Sequence, residues 1–215
     1  MQPRTVLCFG DSNTHGTVAM ATVTDRRRFA KPDRWTSIMA QQLGADWDVI
    51  AEGHPGRTSV LDDPIEGAHK NGQRALLSLL ESHRPIDLVI VMLGTNDLKA
   101  RFNLSANDIA LGIQRLVVEV QRSDTGPDGR APDVLIAAPV IATETGLFVD
   151  IFAGAAAKSQ ALPKLLHRVA QQQQAGFIDL NTVSHVDPVD GIHLDKAAHA
   201  AIGATMAQAV AKTMT

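Results

Sequence analysis

The sequence predicts an α/β protein, a three-layer α/β/α sandwich around a central five-stranded parallel sheet. Three observations carry that prediction. Short apolar runs recur five times along the chain, and helical patterns lie between them. The strongest run, "DLVIVMLG", is apolar at nearly every position. A strand covered on both faces reads this way, because the crossovers of a parallel sheet lay helices over each side. Alternating strands and helices imply right-handed crossovers and a sheet held between two helix layers.

The first run, Val6–Phe9, breaks at once into Gly10, Asp11, Ser12, Asn13 and Thr14. "RWTSIMAQQLG" follows, with apolar residues three and four apart and Gly44 as a C-cap. Trp47–Ala51 is the second strand. "NGQRALLSLLESH" is a helix capped by Asn71, and Leu88–Leu93 is the third strand. "SANDIALGIQRLVVEVQRS" opens on Ser105 with Asp108 three residues on, close to a capping box. Val134–Ala138 is the fourth strand. "AAAKSQALPKLLHRVAQQQQAG" is expected to end near Gly176, with Pro163 interrupting it or beginning its final portion. Gly176–Leu180 is the weakest strand. "DKAAHAAIGATMAQAVAKTM" closes the chain, with Asp195 as N-cap. Ser123–Pro132 reads as a surface loop, since no second core follows it, so residues 1–215 are expected to form one domain. Two segments, Asn13–Asp33 and Gly53–Lys70, are long and irregular, as functional loops often are.

Composition narrows the classes. The chain has 215 residues, 45% hydrophobic and 20% charged, with a net charge of -3 and a pI near 6.2. This is an ordinary globular composition, and nothing in it favours nucleic acid or an anionic membrane. The lone cysteine, Cys8, falls inside the first apolar run and is expected to be buried. Met1–Thr5 carries no apolar targeting segment, and no run reaches the roughly 18 residues of a membrane helix. A cytoplasmic location is therefore expected. Tyrosine is absent, which removes one proton donor from any mechanism.

Four polar stretches fall just beyond the carboxyl ends of strands or at the neck of the last helix, where open parallel sheets bind ligands. "GDSNTHG" is either a tight turn or a nucleophile held at the end of a strand. It matches neither phosphate-loop spacing nor the G-x-S-x-G elbow. "AEGHPGRTS" holds two glycines, Gly53 and Gly56, which either shape turns or leave a bare N–H facing a ligand. "MLGTNDLK" offers the Asn96 amide, suited to a developing negative charge on oxygen, although Asn also caps and turns. "DPVDGIHLD" sets Asp190 three residues before His193. A turn there lets the carboxylate fix one imidazole nitrogen while the other faces the site, the alternative being a surface turn. Asp11 and Asp97 read as local hydrogen-bonding partners. His15, His54 and His69 lack paired ligand spacing, so no metal is expected. Arg26–Arg28 read as a solvated face, with a cleft mouth or a subunit interface as alternatives.

In these four stretches the chain resembles the SGNH (GDSL-type) hydrolase family. "GDS" stands at Gly10–Ser12, the second-block glycine at Gly56, "GTND" at Gly94–Asp97 and "DGIH" at Asp190–His193. "VLCFGDSNTHG", "RWTSIMAQQLGAD", "GRTSVLDDP" and "VDGIHL" are similar to the bacterial arylesterase/acyltransferase subgroup. The resemblance implies a flavodoxin-like sandwich, Ser12 as nucleophile, His193 as general base and Asp190 as its orienter. The Ser12 and Gly56 N–H groups and the Asn96 side chain would form the oxyanion hole. It further implies a small-molecule ester as substrate, no cofactor, and a homo-oligomer such as an octamer. Asn13, where the family name has leucine, and His15, His54 and Pro55 are expected to contact the substrate. The expected activity is that of a serine esterase on short acyl esters, extending to acyl transfer onto alcohols. A carbohydrate O-deacetylase is the sister reading. A flavodoxin-like small-molecule binding module is the rival outside enzymes, and it gives Asp190 and His193 no role.

Overall fold

A computed structural model describes residues 3–214. Five strands, β1 (Arg4–Gly10), β2 (Trp47–Gly53), β3 (Leu88–Met92), β4 (Asp133–Ala138) and β5 (Gly176–Asp179), form one sheet in the order β2-β1-β3-β4-β5. Every neighbouring pair is parallel. Side chains alternate across the pleat. Leu7, Phe9, Val89, Val91 and Ile136 face one helix layer, α3 (Gly72–His83), α4 (Ala106–Gln121) and α5 (Ala155–Gln173). Val6, Cys8, Leu88, Ile90 and Leu135 face the other, α2 (Trp35–Leu43) and α6 (Lys196–Thr213). Two apolar cores thus sandwich the sheet, which explains why β3 is buried at every position.

Local signals set most helix starts. Asn71 accepts from Gln73 N, Asp195 accepts from Ala198 N, and Ser105 with Asp108 forms a reciprocal capping box. The expectation for Pro163 is corrected: α5 runs on through it. A proline inside a helix costs about 3 kcal/mol. Burial of Ala155, Ser159, Leu162, Leu166, Val169 and Ala170 along one face outweighs that. The helix stops on Gln174, held at φ 52, and Gly176 opens β5 as expected. The segment Asn13–Asp33 is also less irregular than expected. It begins inside a single helical turn, α1 (Ser12–His15), and ends in a 3-10 turn.

The strand order reverses between β1 and β3, so their carboxyl ends diverge and leave a crevice. The turn α1 follows β1 and packs on the end of β2, which it can approach because β2 ends without a side chain. A Cβ on Gly53 would lie 2.1 Å from His15 N and 2.5 Å from Thr14 C. Backbone cannot yield as a flexible side chain can. Gly53→Ala is therefore expected to lower unfolding free energy by about 1–3 kcal/mol, the usual range for overpacking. Urea denaturation checks this, and an unchanged midpoint would mean that β2 does not press on α1.

Candidate active site

Four loops meet over the crevice. β1 ends at Gly10, and Asp11 leaves the strand with its side chain accepting from Asn13 N at 2.9 Å. That cap starts α1 with Ser12 as its first residue, and Gly16 at φ 86 ends it after one turn. From the neck of α6, His193 places Nε2 3.0 Å from Ser12 Oγ. Its Nδ1 lies 2.6 Å from Asp190 Oδ2. The proton on Nδ1 is then donated to the carboxylate, which leaves Nε2 to accept from Ser12.

Asp190 is held from several sides. Its Oδ1 accepts from Ile192 N and His193 N, and its Oδ2 also accepts from Met20 N. Burial alone would raise its pKa. The His193 hydrogen bond and charge, with the backbone donors of His193 and Met20, outweigh burial and hold the carboxyl below its usual value. The imidazolium that would form on His193 therefore faces an ionised partner.

Gly56 and Asn96 reach the same cleft. Gly56 has φ 80, a left-handed conformation that glycine adopts without strain. Asn96 Nδ2 lies 3.5 Å from Asp11 Oδ2. Burial lifts the Asp11 carboxyl to about 6, against the opposing Asn13 N–H and the nearby His193 and Arg57 charges. Asp97 is also buried and its pKa is raised for that reason. Its two oxygens accept from Ser59 N at 3.1 and 3.0 Å, which ties the Gly56 loop to the loop after β3.

The cleft encloses about 310 Å³. The apolar part of its lining is Met20, Phe148, Ile151, Phe152 and Ile192. Phe148 stands edge-on to the His193 ring, with centroids 6.0 Å apart. The polar part of the lining holds His15, Arg26, Arg27, Glu66 and the buried Lys99. His15 is neutral at pH 7, because burial and then the Arg28 and Arg34 charges lower its pKa to about 4. Among the described residues no group of three or more His, Cys, Asp and Glu could hold a metal ion.

Two expected contacts are corrected. Asn13 does not line the cleft. Its Nδ2 donates to Ile192 O at 3.1 Å and its Oδ1 accepts from Leu194 N at 3.2 Å, so its side chain is turned into the loop that carries His193. His54 also lies outside the cleft lining. It packs edge-on against His69, and Lys70 Nζ approaches its Nε2 at 3.4 Å. His15 and Pro55 do line the cleft. The Arg26–Arg28 stretch is not simply solvated. Arg26 and Arg27 border the mouth, Arg27 pairing with Asp25, and Arg28 donates to His15 O.

Three further contributors shape the site. Arg57, buried next to Gly56, donates from Nη1 to Gly10 O at 2.9 Å and to Glu52 O, and its guanidinium lies 4.3 Å from the Phe9 ring centroid. It joins the ends of β1 and β2 under the site. Lys99 is buried between Asp63 and Glu66, and Arg101 adds a second bond to Asp63. Three of the apolar lining residues, Phe148, Ile151 and Phe152, come from 148–152, a segment with no periodic or motif signal. For Arg57 the sequence offers only its place directly after Gly56, which does not say what the guanidinium reaches.

As a whole the cleft offers a hydroxyl poised to lose a proton, a base with an ionised partner, and amide donors beside them. That is the equipment of base-activated nucleophilic attack on a carbonyl. Comparison with known proteins agrees with this chemistry. Residues 8–201 match the family model described as GDSL-like lipase/acylhydrolase. An inhibitor-bound aryl esterase from M. smegmatis is 40% identical, with TM-score 0.93, covering 98% of this chain and 99% of that one. Est24, a carbohydrate acetylesterase from Sinorhizobium meliloti, is 38% identical, with TM-score 0.92, covering 97% of this chain and 99% of that one. Among curated proteins nothing matches. A family model spanning most of the chain, with relatives this similar over almost their whole length, means that the chain belongs to the GDSL-like lipase/acylhydrolase family.

Proposed function

We propose that the protein is a serine esterase acting on short acyl esters, with the whole chain serving as one catalytic domain. The observation that carries this is the continuous Ser12–His193–Asp190 hydrogen-bond line opening onto the cleft. Ser12 Oγ attacks the ester carbonyl while His193 Nε2 takes its proton. The carbonyl becomes an oxyanion, which the N–H groups of Ser12 and Gly56 and the amide of Asn96 stabilise. The tetrahedral intermediate collapses and expels the alcohol, which receives the proton from His193. An acyl group is now bonded to Ser12 Oγ. Water gives up a proton to His193 and attacks this ester, releasing the acid and regenerating Ser12. An alcohol entering in place of water yields a new ester, which is acyl transfer.

The size of the cleft and the apolar part of its lining support an acetyl or similarly short acyl group. The polar lining of His15, Arg26, Arg27 and Glu66 favours a second reading, O-deacetylation of a carbohydrate whose hydroxyls bond those side chains. The likeness to both an aryl esterase and a carbohydrate acetylesterase keeps the two side by side. A homo-oligomer in the cytoplasm completes the proposal. Light scattering on the purified protein checks the first part.

Hydrolysis of p-nitrophenyl acetate, butyrate and octanoate is expected to be fastest with acetate. Ser12→Ala, confirmed folded, is expected to lose on the order of 10⁴-fold or more in kcat. Equal rates in the two proteins would return Ser12 to the role of a turn residue. Asn96→Ala, which removes one oxyanion donor, is expected to lower kcat by about 10²–10³ with a smaller change in KM. A loss confined to KM would make Asn96 a ground-state contact only. A panel of acetylated sugars, run against aryl acetates under the same conditions, separates the esterase reading from the deacetylase.

A further inference from the structure

The residue after the proposed nucleophile is turned away from the cleft, and its partners are specific. Asn13 is buried, and its amide pairs with main chain on both sides of His193. Nδ2 donates to the carbonyl of the preceding residue, Ile192, and Oδ1 accepts from the N–H of the following residue, Leu194. One planar side chain thus acts as a strand partner for the peptide that carries the base. An amide supplies donor and acceptor together, which neither a carboxylate nor an apolar side chain does. Asn13 N–H is itself held by Asp11, the cap that starts α1. The His193 main chain is pinned at its other atoms as well: its N–H donates to Asp190 and its carbonyl accepts from Asp187 N.

We propose that Asn13 is a positioning residue that fixes the His193 imidazole relative to Ser12. This rests on the serine esterase reading above. Ser12 and Asn13 are neighbours on a single rigid turn, so a clamp from Asn13 to the flanks of His193 sets the Ser12–His193 separation with almost no slack. The clamp acts at the chemical step and not in binding, because Asn13 is outside the cleft. A family-like leucine at this position would strand the Ile192 carbonyl and the Leu194 N–H inside the protein. An aspartate would keep the Leu194 bond and turn a carboxylate oxygen against the Ile192 carbonyl.

The test measures kcat and KM for p-nitrophenyl acetate in Asn13→Asp and Asn13→Leu, each also made in the His193→Ala background. Asn13→Asp is isosteric and carries the test if the leucine variant does not fold. Labelling of Ser12 by a fluorophosphonate, followed by intact mass, supplies a rate where turnover is too slow. The expected result is a kcat loss of about 10- to 100-fold, the scale of a small misplacement of a reacting group. KM stays within about twofold, and the same substitution has no further effect once His193 is absent. A raised KM at unchanged kcat, an undiminished loss in the His193→Ala background, or wild-type rates in both variants would each overturn the proposal. Full activity in Ser12→Ala would sink the esterase reading instead, so the two failures are distinguishable.

Discussion

A single hydrogen bond of 3.0 Å joins residues 181 positions apart, Ser12 on the turn after the first strand and His193 at the neck of the last helix. Neither end can find the other by local structure. The sheet brings them together by reversing its strand order between β1 and β3, and α6 packs back against the face that holds Val6, Cys8 and Ile90. Gly53 lets the end of β2 close against α1 without a side chain in between. The site therefore depends on the sandwich as a whole, and its precision comes from backbone contacts that tolerate little adjustment.

Polar groups buried around that bond keep it in place. Asp11, Asp97, Asp63 and Asp190 are all buried, and each accepts from backbone or side-chain donors. Buried carboxylates without partners would take up protons or unfold the loops that carry them. Here they staple loops from different strands: Asp97 joins the β3 loop to Ser59, and Asp190 joins the α6 neck to Met20. Arg57 does the same for the carbonyl ends of β1 and β2. Polar staples thus tie together the loops around the cleft, while part of its lining stays apolar.

Much of the fold was legible in the sequence because its signals are local. Continuous apolar runs marked buried strands, and Asn71, Ser105 with Asp108, and Asp195 marked helix starts through their own side chains. Pro163 misled because the penalty of a proline is local while the packing that overrides it is not. The residues of the four polar blocks were also legible, but the direction of a side chain was not. Asn13 was expected in the cleft and is turned into the His193 loop, since α1 is a turn whose rotation is set by what it packs on. Arg57, the Asp63–Lys99 pair and the Phe148–Phe152 lining depend on contacts between distant segments, and no spacing rule encodes those.

The central claim is that Ser12 carries the acyl group between the two halves of the reaction. Mixing the protein with p-nitrophenyl acetate, quenching in acid within the first turnover and mapping the adduct by peptide mass spectrometry tests it most directly. The account predicts one acetyl group, on the peptide containing Ser12, that disappears as hydrolysis completes. Acetyl found instead on His193 or Lys99, or product released with no protein adduct at any time in the first turnover, would contradict it.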